Sequence, residues 1–98
     1  MAGVKFDHTD GFNRVTVDAH AEPMHLVLDR GTGKAMLKVD IYQDKQAFLD
    51  KELPMDTCSF SGELASAVAF INGSADLLGT MRTIAKNQFE QIGNGVDD

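Results

Sequence analysis

The spacing of the apolar residues changes near the middle of this chain, and that change constrains the fold more than any other feature. Up to about Tyr42, apolar residues alternate with polar ones, which is the period of a half-buried β-strand. From Leu64 to Ile92 they recur at steps of four and three, which is the period of one face of a helix. The pattern therefore predicts a sheet in the first half of the chain and helices in the second.

The connections between the alternating segments are short, which favours an antiparallel meander of three or four strands. The predicted strands are, in chain order, 4–6, 14–21, 24–29 and 35–42. Pro23 is expected to interrupt the sheet pattern between the second and third of them, and 30–34 has the glycines of a hairpin turn. Two sets of residues are expected to face the core: Val15, Val17, Ala19 and Ala21, then Ala35, Leu37, Val39 and Ile41.

Polar residues mark the expected helix starts. Asp44 is a predicted cap for a short helix that ends near Leu53, before a proline. Residues 55–60 fit either a further strand or an extended linker. Ser61 is a predicted cap for the first C-terminal helix.

The C-terminal helical region has one uncertain joint, at Asn72-Gly73-Ser74. This joint favours two helices, 62–71 and 75–92, because Gly73 can end a helix and Ser74 can cap the next one. The alternative is one continuous helix of about thirty residues, roughly 45 Å long. Residues 93–98 are predicted to be a frayed acidic tail.

These elements predict an α+β fold in one domain of 98 residues. The antiparallel sheet occupies the N-terminal half, and the C-terminal helices cover one of its faces. A chain of this length buries roughly two-thirds of its unfolded surface, which is enough for a single core.

The chain is acidic, with a net charge of −6 from fifteen Asp and Glu against nine Lys and Arg. No segment concentrates the basic residues, so the sequence offers no phosphate-neutralising surface, and we expect no direct binding to nucleic acid. An acidic surface keeps a small domain soluble, and it also complements a basic partner.

The sequence is typical of an intracellular protein without a membrane segment. Residues 1–7 lack the apolar core of a secretory signal. The longest uncharged run, 64–75, is too short and too rich in Ser, Asn and Gly to cross a bilayer. Cys58 is the only cysteine, so no internal disulfide can form, which suits a reducing compartment. We therefore expect a cytoplasmic protein.

No group of residues in the sequence supports an enzyme. The segment 31–34, Gly-Thr-Gly-Lys, lacks the first glycine and the final hydroxyl residue of a phosphate-binding loop. His20 and Glu22 share a strand face near His25, and such residues suit zinc or copper, but nothing fixes three or four ligands at a distinctive spacing. We predict no catalytic residue, no metal site and no cofactor. A small metal-dependent enzyme that uses these three residues is a remote alternative.

The last predicted helix has a wider apolar arc than one neighbouring sheet requires, and surplus apolar surface marks a partner site. The residues predicted to bind a partner lie along this arc: Leu77, Leu78, Met81, Ala85, Phe89 and Ile92.

The leading hypothesis is a non-catalytic, acidic protein-interaction module of the inhibitor or adaptor type. Its size and charge fit the small proteins that phages and mobile elements encode. The alternative is a structural or assembly subunit, of the kind found in virions, that self-associates through its C-terminal helices. The expected partner is therefore another protein or a second copy of the chain, and not a membrane.

Overall fold

An antiparallel sheet forms the framework of this protein, whose computed structural model describes residues 3–73 and 76–97. Five strands of the described residues form this sheet in the order β4-β3-β2-β1-β5. Their bounds are β1 Val4–Thr9, β2 Val15–Asp29, β3 Lys34–Tyr42, β4 Asp56–Glu63 and β5 Val96–Asp97. Strands β1 to β4 are neighbours in chain order, which confirms the predicted antiparallel meander.

The helices are α1 Lys45–Leu49, α2 Leu64–Asn72, α3 Leu77–Gln88 and α4 Glu90–Gly93. Three of them follow the fourth strand, so the predicted α+β order of sheet and then helices is confirmed. The predicted helix over 75–92 is interrupted at Phe89, whose extended backbone separates α3 from α4.

Helices α3 and α4 cover one face of the sheet, and a single core fills the space between the sheet and these two helices. This core face carries the inward side chains of β3 as predicted, because Leu37, Val39 and Ile41 are buried together. The other buried members of the core cluster come from β1, β2 and the two helices: Val4, Phe6, Ala19, Ala21, Met81, Ala85 and Ile92. One shared core makes the sheet and helices a single domain.

A β-bulge near the start of β2 makes the predicted core-facing positions wrong for the first part of this strand. The register against β1 shifts between Phe6 and His8, and Asp18 adopts a left-handed conformation with φ 55°. An extra residue in one strand shifts the alternation by one, so the side chains before the bulge occupy the opposite face from that expected by continuing the pattern after it. Ala19 is therefore in the core, whereas Val15 and Val17 are 59% and 67% exposed, contrary to the prediction.

Pro23 does not end a strand, contrary to the sequence prediction. It lies within β2, where the register against β3 shifts between Pro23 and His25. A bulge is one of the few positions at which a sheet accepts proline, since its nitrogen donates no hydrogen bond. The predicted hairpin turn does form, with Gly33 in the left-handed region at φ 71°.

Helix α1 packs on the face of the sheet opposite to α3 and α4. Its Phe48 ring stacks on the buried His20 ring with the ring centroids 5.3 Å apart. The same ring makes an edge contact with Tyr42, with the centroids 5.4 Å apart. Asp44 caps this helix as predicted, accepting a hydrogen bond from the Ala47 N–H at 2.8 Å. The helix ends at Leu49, four residues before the predicted end at Leu53.

The helical region is broken after Gly73, in agreement with the favoured prediction of two helices. Gly73 ends α2, and the side chain of Asp76 caps α3 by accepting from the Leu78 N–H. The predicted cap Ser74 lies outside the described residues. Ser61 is not a cap, because β4 continues through it to Glu63 and α2 begins one residue later.

The predicted frayed tail is wrong for residues 93–97. Gly93 ends α4, and β5 pairs antiparallel with β1 through Val96 opposite Lys5. Gly95 permits this close approach, since a Cβ at that position would lie 2.5 Å from the carbonyl oxygen of Lys5. Asp98 lies outside the described residues. Within those residues, none of the helices combines the length and apolar character that crossing a membrane requires.

Two leucine-to-alanine substitutions test the position of the core. Leu37 is 2% exposed and Leu53 is 92% exposed. We expect Leu37→Ala to lower the free energy of unfolding by about 2–5 kcal/mol, because it leaves a cavity. Leu53→Ala should change it by less than about 0.5 kcal/mol. Urea denaturation followed by circular dichroism measures both, and equal losses would contradict the core assigned here.

Candidate protein-interaction site

The two edges of the sheet differ in how completely they are covered. At the β1 edge, β5 pairs with Val4 and Lys5. The Gln91 side chain covers the far end of that edge, accepting from the Thr9 N–H at 2.9 Å and donating to the Thr9 carbonyl at 3.3 Å. Strand β4 forms the opposite edge, where no further strand follows it in the described residues.

Alternation of hydrogen bonds along β4 shows which main-chain groups face outward. The Leu64 N–H donates to the Gly33 carbonyl at 3.0 Å, in register with the β3–β4 ladder. Antiparallel ladders alternate inward and outward residues, so Gly62 and Phe60 bond to β3, whereas Ser61 and Ser59 direct their N–H and C=O groups outward. Residues 59 and 61 are exposed, and within the described residues no side chain or turn bonds to these outward groups.

Strand β4 carries few of the features that protect exposed sheet edges. Natural edges are commonly blocked by lysine, proline or a bulge. The run 57–62, Thr-Cys-Ser-Phe-Ser-Gly, contains no charged residue and no proline. Its register against β3 is unbroken from Lys34 opposite Glu63 to Ile41 opposite Asp56. The edge therefore has no bulge, is uncharged along its centre and is accessible to another extended chain.

An apolar groove lies beside this edge, between the core face of the sheet and the helices α2 and α3. Its volume is about 160 Å³. Apolar or small residues line most of it: Leu26, Leu37, Phe60, Gly62, Ala67 and Ile84. Exposed polar residues also line the groove, among them Glu63, Ser66 and Gln88. The groove shares Phe60 and Gly62 with β4, so the edge and the groove form one surface, which we call the β4 surface.

Carboxylates mark both ends of the β4 surface. At one end, Glu63 accepts a hydrogen bond from Lys34 Nζ at 2.8 Å, which lowers the pKa of Glu63 and keeps it ionised. At the other end, Asp56 accepts from Nε2 of the buried His8 at 3.0 Å. The His8 bond ties the start of β4 to β1, so the strand is held at its first residue as well as along the ladder.

The structure divides the six residues predicted to bind a partner. Met81, Ala85 and Ile92 are buried in the core of the chain itself, so the prediction that they form a binding surface is wrong. Phe89 is half-buried and packs against Phe60 with ring centroids 5.7 Å apart. Leu77 and Leu78 are 55% and 51% exposed at the start of α3. The wide apolar arc is thus satisfied internally over most of its length.

The three residues of the metal alternative share one face of the sheet, where His20 and Glu22 meet but His25 lies apart from them. His20 pairs with Tyr42 and His25 with Lys38, four residues away on β3. At about 3.3 Å per residue this places the two histidines roughly 13 Å apart. Phe48 instead covers the His20 ring, and His20 Nε2 lies 3.5 Å from Oε2 of Glu22. Among the described residues, no three His, Cys, Asp or Glu side chains converge as a metal site would require.

Sequence reasoning missed β4 as the open edge because the strand signal there is weak. Cys58 and Phe60 alternate with polar residues, as in a strand with one buried face, but the segment is short and mostly Ser and Thr. Which strand lies at an edge depends on the order of pairing, and local alternation does not encode that order. The chain matches no protein-family model, no curated protein and no solved structure.

Cys58 provides a chemical probe of the β4 surface. Burial raises the pKa of its thiol, and the nearby Asp56 carboxylate adds to the shift. Because the thiolate is the reacting form, we expect alkylation by iodoacetamide to have a more alkaline midpoint in the folded chain than in the urea-unfolded chain. Mass spectrometry of the labelled protein over a series of buffers measures both midpoints. Coincident midpoints would contradict the partly buried position of this thiol.

Proposed function

We propose that this protein is a non-catalytic, acidic interaction module that binds an extended segment of another protein along β4. The observation that carries the proposal is the open edge, where Ser59 and Ser61 present unpaired main-chain donors and acceptors to solvent. An extended chain placed there would continue the sheet, with main-chain hydrogen bonds supplying affinity and side-chain pockets supplying specificity. An inhibitor or adaptor could act in this way by occupying a segment that its partner uses elsewhere.

The rest of the fold supports this proposal. The competing edge at β1 is covered by β5 and the Gln91 side chain, so strand addition is favoured on one side of the molecule. The net charge of −6 favours a basic partner over an acidic one and raises the rate of encounter at low salt.

A second candidate function is self-assembly through the start of α3, as in a structural subunit. Leu77 and Leu78 are adjacent and half exposed, and Val68 on the neighbouring helix is also exposed. Neighbouring exposed apolar side chains of this kind occur at contacts between subunits.

Proline at position 59 tests strand addition. Because the Ser59 N–H faces outward, Ser59→Pro removes a donor from the edge and leaves the β3–β4 ladder intact. Peptides that bind the wild-type chain are first selected from a random displayed library. They are then titrated against the wild-type chain and the variant by fluorescence anisotropy. We expect affinity to fall by about tenfold or more, since the hydrogen bond contributes about 1 kcal/mol and the ring obstructs the incoming strand.

Ser59→Ala is the matched control, because it removes the hydroxyl group and keeps the N–H. It should bind the enriched peptides as the wild-type chain does, and both variants should keep the wild-type circular dichroism spectrum. Equal binding by the proline and alanine variants, or a failure of the library to yield any binder, would overturn the proposed function.

Charge introduced at Leu78 tests self-assembly. If subunits associate through α3, Leu78→Glu should shift sedimentation toward the monomer, because the carboxylate would be desolvated in the contact. The unfolding free energy should stay within about 1 kcal/mol of wild type, since Leu78 is half exposed. A wild-type chain that sediments as a monomer at all concentrations would exclude this second candidate.

A further inference from the structure

The groove of the β4 surface opens at Gly62, in the edge strand itself. A Cβ built at Gly62 meets no atom within 4 Å. The missing side chain therefore leaves a path between the free edge and the apolar space between α2 and α3. Along an antiparallel ladder, a residue opposite Gly62 on an added strand would belong to a pair without mutual hydrogen bonds. The side chains of such pairs lie closest together, on the core face in this case.

The volume of the groove fits a single side chain. Sites for small organic ligands have volumes of roughly 300–1,000 Å³, and this groove holds about 160 Å³. A cavity of about 150 Å³ accepts a benzene ring. An aromatic ring or a branched aliphatic side chain therefore fits, and its apolar surface matches Leu37, Phe60 and Ile84 in the lining.

The charges around the β4 surface favour particular residues on either side of the side chain that fills the groove, which we call the anchor. Glu63 is exposed beside the groove and stays ionised through its bond with Lys34. Asp56 lies at the opposite end of the strand, and the chain as a whole carries a charge of −6. Lys34 offsets part of the Glu63 charge, but the net charge of −6 favours a strand with Lys or Arg on either side of its anchor over an acidic strand.

We infer that the segment recognised by β4 is an extended, basic stretch of another protein, with one aromatic or branched aliphatic residue opposite Gly62 that fills the groove. This inference rests on the proposed function, and it adds the chemistry of the partner. Binding by such a segment weakens as salt rises, because its flanking charges face exposed carboxylates.

Filling the groove from inside the chain tests the anchor. Gly62→Leu places an aliphatic side chain in the open space, and Gly62→Ser is the control that adds a side chain too small to fill it. The probes are the peptides enriched from the random displayed library, each paired with a copy that carries alanine at the shared apolar position. On the wild-type chain and on Gly62→Ser, we expect this alanine to weaken binding by about tenfold to a hundredfold. On Gly62→Leu it should have little effect, because the groove is already occupied.

The outcomes separate the anchor from the proposed function. Peptides that lose binding on Ser59→Pro, yet share no apolar position and bind Gly62→Leu normally, would overturn the anchor and leave strand addition standing. Peptides indifferent to both Ser59→Pro and Gly62→Leu would overturn both. Enriched peptides without Lys or Arg, bound independently of salt, would overturn the basic partner. A wild-type dimer that Ser59→Pro dissociates, with no peptide enriched, would identify a second copy as the occupant and overturn the inference.

Discussion

The packing of α3 and α4 on the sheet determines which surfaces of this protein are open. Met81, Ala85 and Ile92 belong to the same core cluster as Ala19, so the helices contribute most of their apolar arc to the core. What remains exposed on them is the leucine pair at the start of α3. Because the helices bury their apolar face within the chain, the main surface left for binding is the open sheet edge. Its main-chain groups can still form hydrogen bonds.

An open sheet has two edges, and every main-chain group at each edge needs a partner or water. This fold treats its edges differently. One carries a two-residue strand and a glutamine side chain, which together bond to β1. The other is β4, whose eight residues pair with β3 in an unbroken register and whose alternate residues direct main-chain groups outward. The outward groups of β4 at Ser59 and Ser61 are open to solvent, so an extended chain could bond to them with few changes in the fold.

The sequence predicts the parts of the fold that depend on local pattern. Alternation along β3 identifies its inward residues, and the Asp44 cap follows from a side chain that bonds within three residues. The errors occur where distant parts of the chain decide the structure. The bulge at Asp18 depends on pairing with β1, and β5 forms because Gly95 allows close contact with residues some ninety positions earlier. The candidate site is of this second kind, since the groove combines residues from two helices and three strands.

The pairing of β5 with β1 also determines when the outer edge of β1 becomes covered during synthesis. Strand β1 emerges first, yet its outer edge stays uncovered until Gln91 and then Val96 have been made. During that interval the nascent sheet has two open edges and can pair with other chains. Once Val96 is in place, β5 and Gln91 bond to both ends of β1, and β4 is the longer of the two edge strands among the described residues. Synthesis of residues 91–97 thus covers much of one edge of the sheet and leaves the β4 edge open.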